Sequence, residues 1–150
     1  MADLTVRDFA PGDLDQVADT LAQATRQAYT FMEWTHDDAS FRWFVGDSLA
    51  RWNLVRVAVT DTNVVGFACL EENQLDQLFV RPAWQRRSIG RRLLDDIKRL
   101  RPDGFMLYTF QANHAARRFY ESQGLVAGAL GVSEAENEPD VIYAWNPHDR

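Results

Sequence analysis

The sequence predicts an α/β protein of the α+β type, with a mixed central sheet of about six to seven strands flanked by about four helices. Three alternating apolar segments follow one another across short polar turns, which is typical of an antiparallel meander. A strand, an amphipathic helix and a further strand then succeed one another, which implies a right-handed crossover and a parallel pair. The predicted strands are Leu4–Phe9, Leu54–Thr60, Val64–Leu70, Gln74–Val80, Phe105–Phe110, Val126–Val132 and Val141–Trp145.

Length and composition limit the class of protein. The 150 residues suit one domain with a buried core, so residues 1–150 are expected to form a single domain. A net charge of −6 argues against a general nucleic-acid-binding protein and favours a cationic substrate. One cysteine, Cys69, fits a reducing compartment. The N-terminus lacks a signal pattern and no apolar run approaches about 18 residues, so we expect a cytoplasmic protein with no membrane partner.

Local signals define the first two helices and one irregular strand. Asp13, with Gln16 three residues later, has the pattern of a helix start. A second helix is predicted to begin at Asp37 or Asp38. Gly66 stands inside a predicted strand, where it indicates either a bulge or a close contact.

The turn after the fourth strand has the features of a phosphate-binding site. It contains Gln85, the pair Arg86 and Arg87, and the small residues Ser88 and Gly90. The helix that follows has apolar residues on one face, and its first N–H groups have no internal partners and attract anions. A diphosphate would fit there. The alternative is a basic turn that caps and solvates an ordinary strand–helix unit.

The stretch LFVRPAWQRRSIGRRLL resembles the acyl-CoA signature of the GNAT-type N-acetyltransferases. Their loop reads Gln/Arg-x-x-Gly-x-Gly/Ala after a strand ending in Val and a Pro-containing bend. Gln85 and Gly90 match the ends of that motif. Ser88 stands where the family usually has Gly, and Arg86 where many members have Gly.

A second stretch, NHAARRFYESQGL, resembles the later motif of the same family. There an Asn opens a helix and a Phe-Tyr pair precedes a Gly-Phe turn; here Leu125 replaces the Phe. The two motifs occur in the family's order with a strand between them, and the resemblance covers residues 3–146. It implies the GNAT fold, with strands four and five splayed apart.

The resemblance also implies a binding site for acetyl-CoA as cosubstrate. The arm of acetyl-CoA would lie between the splayed strands, pairing with the fourth strand like a further strand. Backbone N–H groups around Phe79 and Val80, at a bulge in that strand, would polarise the acetyl carbonyl. The implied cofactor-binding residues are Leu78, Phe79, Val80, Gln85, Arg86, Arg87, Ser88, Ile89, Gly90, Arg91, Asn113 and Tyr120.

Acetyl transfer also needs a base and a group that assists the thiolate. An alkylamine with a pKa of about 10 must lose a proton before it attacks. Glu72 and Asp76, near the fourth strand, are the candidate bases, although each also fits a solvated position; Glu33 and His36 remain alternatives. Tyr120 matches the family tyrosine that faces the CoA sulfur, and otherwise would be a core aromatic residue.

The segment between the first two helices roofs the acceptor site in the resembled fold. We therefore expect its residues to bind substrate, although aromatic residues so close together are also typical of a core. The candidates are Tyr29, Phe31, Glu33 and Trp34. The loop SEAENEPD is either a solvated turn or an acidic lip that attracts an amine. No metal is expected, because the three histidines and the cysteine lack ligand spacing.

The predicted function is an N-acetyltransferase that moves acetyl from acetyl-CoA to a primary amine of a small molecule or peptide, by direct attack in a ternary complex. The alternative is a non-catalytic CoA-binding or regulatory module of the same fold. Sheet edges and C-terminal hairpins often dimerise in this fold, so a homodimer is a further expectation. The sequence does not identify the acceptor amine.

Overall fold

In the computed structural model the described residues are 3–29 and 37–148. They form one seven-stranded sheet in the order β1-β2-β3-β4-β5-β7-β6. The strands are β1 (Leu4–Asp8), β2 (Leu54–Thr60), β3 (Asn63–Glu71), β4 (Gln74–Val80), β5 (Phe105–Phe110), β6 (Val126–Val132) and β7 (Pro139–Trp145). This confirms the predicted mixed sheet.

Four helices flank the described sheet. They are α1 (Leu14–Ala28), α2 (Asp38–Ser48), α3 (Ile89–Leu100) and α4 (His114–Ser122). Short 3-10 turns occupy Pro11–Asp13 and Pro82–Trp84. None of the helices in the described ranges is long and apolar enough to cross a membrane.

The parallel pair at the centre of the sheet is nearly open. Strand β4 runs parallel to β5, as the crossover predicts, but the pair shares one ladder position, Gln74 opposite Met106. All other neighbouring strands pair antiparallel over several residues. Strands β4 and β5 therefore diverge toward their C-terminal ends, and this divergence opens the sheet.

Each face of the sheet has its own apolar core. The α3 face buries Leu93, Leu94 and Ile97, which recur at helical spacing and are fully buried. The other face packs α1 and α2 against the sheet through residues that include Val17 and Val45. Burying one such aliphatic side chain contributes about 1.5–3 kcal/mol, so packing on both faces holds the sheet in place.

Strand β3 contains the irregularity expected at Gly66. The register shifts where Ala58 pairs with Gly66 and Val59 pairs with Val64, leaving Val65 as the extra residue. A Cβ atom on Gly66 would lie 3.0 Å from the Phe79 oxygen. The glycine therefore permits a close approach of β4 beside a bulge.

The bulge of β4 lies earlier than predicted. Gln77 pairs with Cys69 and Leu75 with Leu70, so Asp76 is the extra residue. The prediction of a bulge at Phe79 and Val80 is wrong, because both residues pair in regular register with β3. A bulge depends on the partner strand, which the sequence of β4 alone does not specify.

Of the caps predicted for the first two helices, one forms. The Asp37 carboxylate accepts a hydrogen bond from the Ser40 amide over 2.9 Å and caps α2. Asp13 instead accepts hydrogen bonds from Arg7, which lower its pKa, and from the Ala10 amide. Its predicted capping of α1 is therefore wrong, because a cation from β1 binds the same carboxylate.

Candidate active site

One cleft of about 1640 Å³ opens where β4 and β5 diverge. Residues from both faces of the sheet line it, because the separation of the two strands connects the faces. It brings together most of the predicted site residues that the structure describes. These are Tyr29, Asp76, Leu78, Phe79, Val80, Gln85, Arg86, Ser88, Ile89, Gly90, Arg91, Asn113 and Tyr120.

The remaining predicted residues are not among those that line the cleft. Glu72 is exposed in the turn between β3 and β4, where its amide donates to the Asn53 side chain. The Arg87 guanidinium stacks on the Trp84 ring at 4.8 Å. Phe31, Glu33 and Trp34, together with His36, lie outside the described residues.

Strand β4 forms one wall of the cleft with its backbone. The Arg81 amide donates to the Val65 oxygen over 2.8 Å, which marks the positions whose peptide groups face β3. Because peptide groups alternate along an antiparallel strand, Phe79 faces β3, while the N–H groups of Leu78 and Val80 face the opening. The predicted donor pair therefore shifts from Phe79 and Val80 to Leu78 and Val80.

The loop after β4 has, at two residues that are not glycine, a backbone conformation that glycine favours. Arg86 and Ser88 both have φ of 64°, in the left-handed region that glycine adopts without steric cost. These are the two positions at which the sequence departs from the family motif. Side chains at both positions have not prevented the conformation that glycine would favour.

The loop leads into the N-terminus of α3. In the described chain the Ser88 side chain makes no capping hydrogen bond. The first amides of α3, on Ile89, Gly90 and Arg91, therefore lack side-chain capping by Ser88 and lie at the cleft. Amides at a helix N-terminus, with the charges of Arg86 and Arg91 beside them, make this end of the cleft suitable for a diphosphate.

Gln85 fixes the start of this loop. Its side-chain amide donates to the Val80 oxygen over 3.1 Å and to the Gln27 side chain over 2.8 Å. It thereby connects the end of β4 with α1. In the described structure these two hydrogen bonds of Gln85 hold the start of the loop in position.

Tyr120 is a buried residue that lines the cleft. Its side chain is 8% exposed and packs against the rings of Phe119 and Tyr143, at 5.3 and 6.1 Å. Within residues 3–29 and 37–148 the hydroxyl has no hydrogen-bond partner. Burial raises the pKa of Tyr120 well above its usual value, and the neighbouring Tyr29 adds to the shift. The hydroxyl is therefore protonated at neutral pH.

Asn113 has two roles beside Tyr120. Its Oδ1 accepts a hydrogen bond from the Ala116 amide over 3.1 Å and so caps α4, as predicted. Its side chain also hydrogen-bonds to Tyr29, which lowers the pKa of that phenol, while burial of Tyr29 raises it more strongly. Asn113 thus connects the start of α4 with the end of α1.

Asp76 is the carboxylate on the β4 wall. The bulge places it at the cleft, where Trp52 Nε1 donates to its Oδ2 over 2.7 Å. The side chain is half-buried. One carboxylate oxygen is thus held by the indole, and of the two candidate bases only Asp76 lines the cleft.

The cleft residues that the sequence analysis does not single out include Trp43, Tyr108, Glu136 and Asp140. Trp43 lies on α2 and is 69% exposed, and Tyr108 lies on β5 and is 54% exposed. The alternation of β5 was a usable signal, since it puts Tyr108 on the face opposite the buried Leu107. The sequence indicates that the acidic loop containing Glu136 and Asp140 is a solvated turn or a lip, but it does not distinguish these two carboxylates from the others in the loop.

Metal chemistry has no candidate ligand set in the part of the chain that the structure describes. No group of three histidine, cysteine or acidic side chains there could hold an ion. The described cleft offers backbone amides, a phenol, carboxylates and arginines.

A family model described as Acetyltransferase (GNAT) domain matches residues 51–125, which is half of the chain. The chain belongs to the GNAT acetyltransferase family. The GNAT domain is an acyltransferase domain, so the predicted class of enzyme is confirmed. The matched range runs from the start of β2 to the end of α4 and includes the phosphate loop and Tyr120.

Two curated proteins of Escherichia coli K12 are similar to this GNAT chain. The uncharacterized N-acetyltransferase YafP is 29% identical over 131 residues, covering 83% of this chain and 82% of its own length. The peptidyl-lysine N-acetyltransferase YiaC is 30% identical over 86 residues, covering 57% of this chain and 58% of its own length. Both names place these relatives among the N-acetyltransferases.

Solved structures share the GNAT fold. Apo YjaB from Escherichia coli has a TM-score of 0.80 at 18% identity, with 95% of this chain and 97% of that chain covered. YncA from Salmonella typhimurium, solved with its cofactor acetyl-CoA, has a TM-score of 0.71 at 18% identity, with 99% and 96% covered. At these identities the likeness confirms the predicted fold.

Proposed function

We propose that this protein transfers the acetyl group of acetyl-CoA to a primary amine of a small molecule or peptide, by direct attack in a ternary complex. One observation carries the proposal. The β4 amides of Leu78 and Val80, the cationic loop and Tyr120 all line a single cleft. A thioester on a long arm with a diphosphate matches those three features in order.

Acetyl-CoA is supported as cosubstrate by the loop and by a neighbour. The diphosphate would bind the first amides of α3 and the charges of Arg86 and Arg91. The Salmonella typhimurium neighbour was solved with acetyl-CoA. The pantetheine arm would then extend along β4, where Leu78 and Val80 have amides that do not face β3.

The acetyl carbonyl would accept a hydrogen bond from this wall. In the attack the amine nitrogen bonds to the carbonyl carbon and the oxygen gains negative charge. An N–H group already fixed in a strand stabilises that charge without reorganising. The Val80 amide is the proposed donor, because it faces the opening at the point where β4 ends beside the loop.

Asp76 is the proposed base. Removing a proton from an amine with a pKa of about 10 costs about 4 kcal/mol at pH 7. A carboxylate held by Trp52 at the cleft can take that proton directly or through one water. Glu72 is left out of the proposed machinery because it does not line the cleft.

Tyr120 is proposed to assist the departing sulfur. When the C–S bond breaks, the electron pair goes to sulfur, whose thiol has an ordinary pKa of about 8.5. Because the pKa of Tyr120 is raised far above that value, a hydrogen bond to the thiolate is favoured over complete transfer of the phenolic proton. The nitrogen loses its extra proton as the amide forms, and water carries that proton to the thiolate, which leaves as the CoA thiol.

The structure gives the non-catalytic alternative less support than the sequence does. It rested partly on Arg86 and Ser88, which depart from the family motif. Both residues have the left-handed backbone that the motif's glycines would allow, so the loop gives no reason to expect loss of turnover. A cytoplasmic location, a homodimer and a single domain stay predictions.

Calorimetric titration with acetyl-CoA tests the cosubstrate, with ATP as control for nonspecific binding of phosphates. We expect saturable binding of acetyl-CoA and none of ATP. Release of CoA thiol in the presence of a panel of primary amines then tests turnover. If the folded protein fails to bind acetyl-CoA, or binds it without releasing thiol to any amine, the proposed function is wrong.

A further inference from the structure

We propose that the acceptor amine carries a second positive charge, which Glu136 and Asp140 bind at the mouth of the cleft. This inference rests on the proposed function and specifies its substrate class. The shared chemistry is a primary amine joined by a short apolar spacer to another cationic group. A small diamine and a peptide with neighbouring basic residues both have it.

Both carboxylates lie between the end of β6 and the first residues of β7. Asp140 lies on β7 opposite Phe110, at the C-terminal end of β5, and Glu136 lies in the loop before it. That loop is held by its own hydrogen bonds, from the Ser133 amide to the Glu138 oxygen and from the Asn137 amide to the Ser133 oxygen, each 2.8 Å. The positions of both acids are therefore fixed by backbone structure.

Neither carboxylate is neutralised within the described chain. Glu136 accepts a hydrogen bond from the Ser133 hydroxyl, but no described cation forms an ion pair with Glu136 or Asp140. The only cationic side chains among the described residues that line the cleft are Arg86 and Arg91, on the loop and at the start of α3. The anionic and cationic groups of the cleft therefore belong to different elements.

A second feature of the cleft points to a ligand. Tyr120 is 8% exposed, and its hydroxyl has no hydrogen-bond partner among residues 3–29 and 37–148. Tyr29 lies close enough for its charge to affect the pKa of Tyr120, and Glu136 close enough to affect the pKa of Tyr29. Tyr120, Tyr29 and Glu136 also line the same cleft, so the acidic mouth and the tyrosine at the proposed reaction centre belong to one continuous space.

Exposed aromatic rings complete the mouth. Trp43 and Tyr108 line the cleft and are 69% and 54% exposed, which is unusual for rings of this size. Aromatic faces attract alkylammonium groups and cover apolar spacers. Such rings beside carboxylates suit a chain that is both apolar and cationic.

The reaction itself requires that the recognised charge is not the reacting one. The attacking nitrogen must be neutral, and any carboxylate beside it other than the proposed base, Asp76, would favour its protonated form. A negative mouth therefore promotes acetylation only if it binds another cation of the same acceptor. Attraction of that second charge also raises the rate of encounter, and this effect weakens as salt is added.

The test compares acceptors that differ by one charge at saturating acetyl-CoA. Butylamine is compared with 1,4-diaminobutane, and a blocked Lys-Gly peptide with a blocked Lys-Lys peptide. We expect kcat/KM to be about tenfold higher for the dicationic member of at least one pair, and the ratio to shrink at high salt. The pair that shows the preference identifies the source, diamine or peptide.

The double variant Glu136→Gln with Asp140→Asn should reduce that preference to near one. The matched control is Glu134→Gln with Glu138→Gln, which removes two charges from the same loop at positions that do not line the cleft. The control should keep the preference. Denaturant unfolding of each variant checks that the fold is retained.

Three outcomes would overturn the inference. Equal kcat/KM for monocationic and dicationic acceptors refutes it while leaving acetyl transfer intact. Equal loss of preference in the control and in the double variant refutes the assigned residues. Acetyl-CoA binding without thiol release to any amine refutes it together with the proposed function.

Discussion

The indole N–H of Trp52 donates a hydrogen bond to Asp76 Oδ2 over 2.7 Å. Trp52 follows α2, and Asp76 is the bulged residue of β4, so the bond joins the α2 side of the molecule to the wall of the cleft. It holds one carboxylate oxygen. The other is the acceptor through which Asp76 is proposed to act as base.

Replacing Asp76 with Asn should lower kcat about a hundredfold, because the amide cannot take a proton from the amine. The fold should be kept, since the Asn side-chain oxygen can still accept from Trp52. Thiol-release kinetics and acetyl-CoA titration measure the two effects. Glu72→Gln is the control and should keep full turnover; loss of turnover in that control, with Asp76→Asn active, would assign the base to Glu72.

Replacing Tyr120 with Phe should lower kcat about tenfold to hundredfold with acetyl-CoA affinity retained, because the hydrogen bond to the departing sulfur is lost. Its stability should not fall, since the hydroxyl has no described partner. The control is Tyr143→Phe. That hydroxyl donates to Glu121 over 2.5 Å and accepts from Arg117 over 3.2 Å, so its removal should cost about 1 kcal/mol of unfolding free energy with turnover kept. If Tyr120→Phe instead lowered stability and kept turnover, Tyr120 would be a structural residue.

Replacing Ser88 with Gly should leave acetyl-CoA affinity unchanged and raise the free energy of unfolding by up to about 1 kcal/mol. The left-handed backbone costs a non-glycine residue about 1–2 kcal/mol, and glycine avoids this cost. Part of the resulting gain in stability is lost again, because glycine gives the unfolded chain more conformational entropy. Arg86→Gly should be similarly stable but bind acetyl-CoA about fivefold more weakly, because it also removes a charge. Calorimetry and denaturant unfolding separate the two effects. Tighter binding by Arg86→Gly would refute a role for its charge.

Replacing Gly66 with Ala should destabilise the protein by about 1–3 kcal/mol, because the new Cβ would lie 3.0 Å from the Phe79 oxygen and 3.2 Å from a Leu93 methyl group. Gly46→Ala is the matched control. Gly46 lies in α2 with no heavy atom within 4 Å of an added Cβ, so alanine there should stabilise by about 1 kcal/mol. Denaturant midpoints measure both, and equal effects would contradict the close approach at β3.

The stability of the protein should fall as the pH rises above about 8.5, through Cys69. Burial, and next the charge of Asp76, raise the pKa of the Cys69 thiol well above its ordinary value. The folded state keeps this proton while the unfolded state loses it, so the contribution is complete below the unfolded pKa and is lost above it. Cys69→Ala should make the decline between pH 8.5 and 9.5 shallower by up to about 1.4 kcal/mol per pH unit. Identical slopes for variant and wild type would exclude Cys69.

Much of the fold was predictable because the signals are local. Strand β4 follows from alternation between polar turns, and α3 from the spacing of Leu93, Leu94 and Ile97. The open pair of β4 and β5 came from the resemblance. Asp76 was named from its place on β4, but its bulge depends on pairing with Cys69 and Leu70, which no local pattern specifies.

Long-range contacts account for what was missed. Arg7 takes the carboxylate of Asp13 that was expected to cap α1, and only the folded chain brings the side chains within 2.8 Å. Trp43 and Tyr108 are large aromatic residues, whose type alone favours a buried position. Tyr108 lies on β5 beyond the single position that pairs with β4, so within the described sheet it has no paired neighbour on the β4 side. In the same way, Asp140 lies beside the end of β5 because β7 pairs with β5, a long-range contact that the local sequence does not specify.

The single pairing of Gln74 with Met106 has a mechanical consequence. Residues 4–100 build the strands on one side of this boundary and residues 105–145 those on the other, so each half of the sheet is continuous in sequence. Across the boundary the halves share one apolar core cluster, which includes Leu107 and Tyr143 on one side and Leu93 and Leu94 of α3 on the other. Apolar contacts impose no fixed bond direction, unlike a backbone ladder. The spacing of the two halves is therefore set by the volume of core side chains. A change of one methylene group at Leu93 or Leu94, which do not line the cleft, alters the width of the cleft.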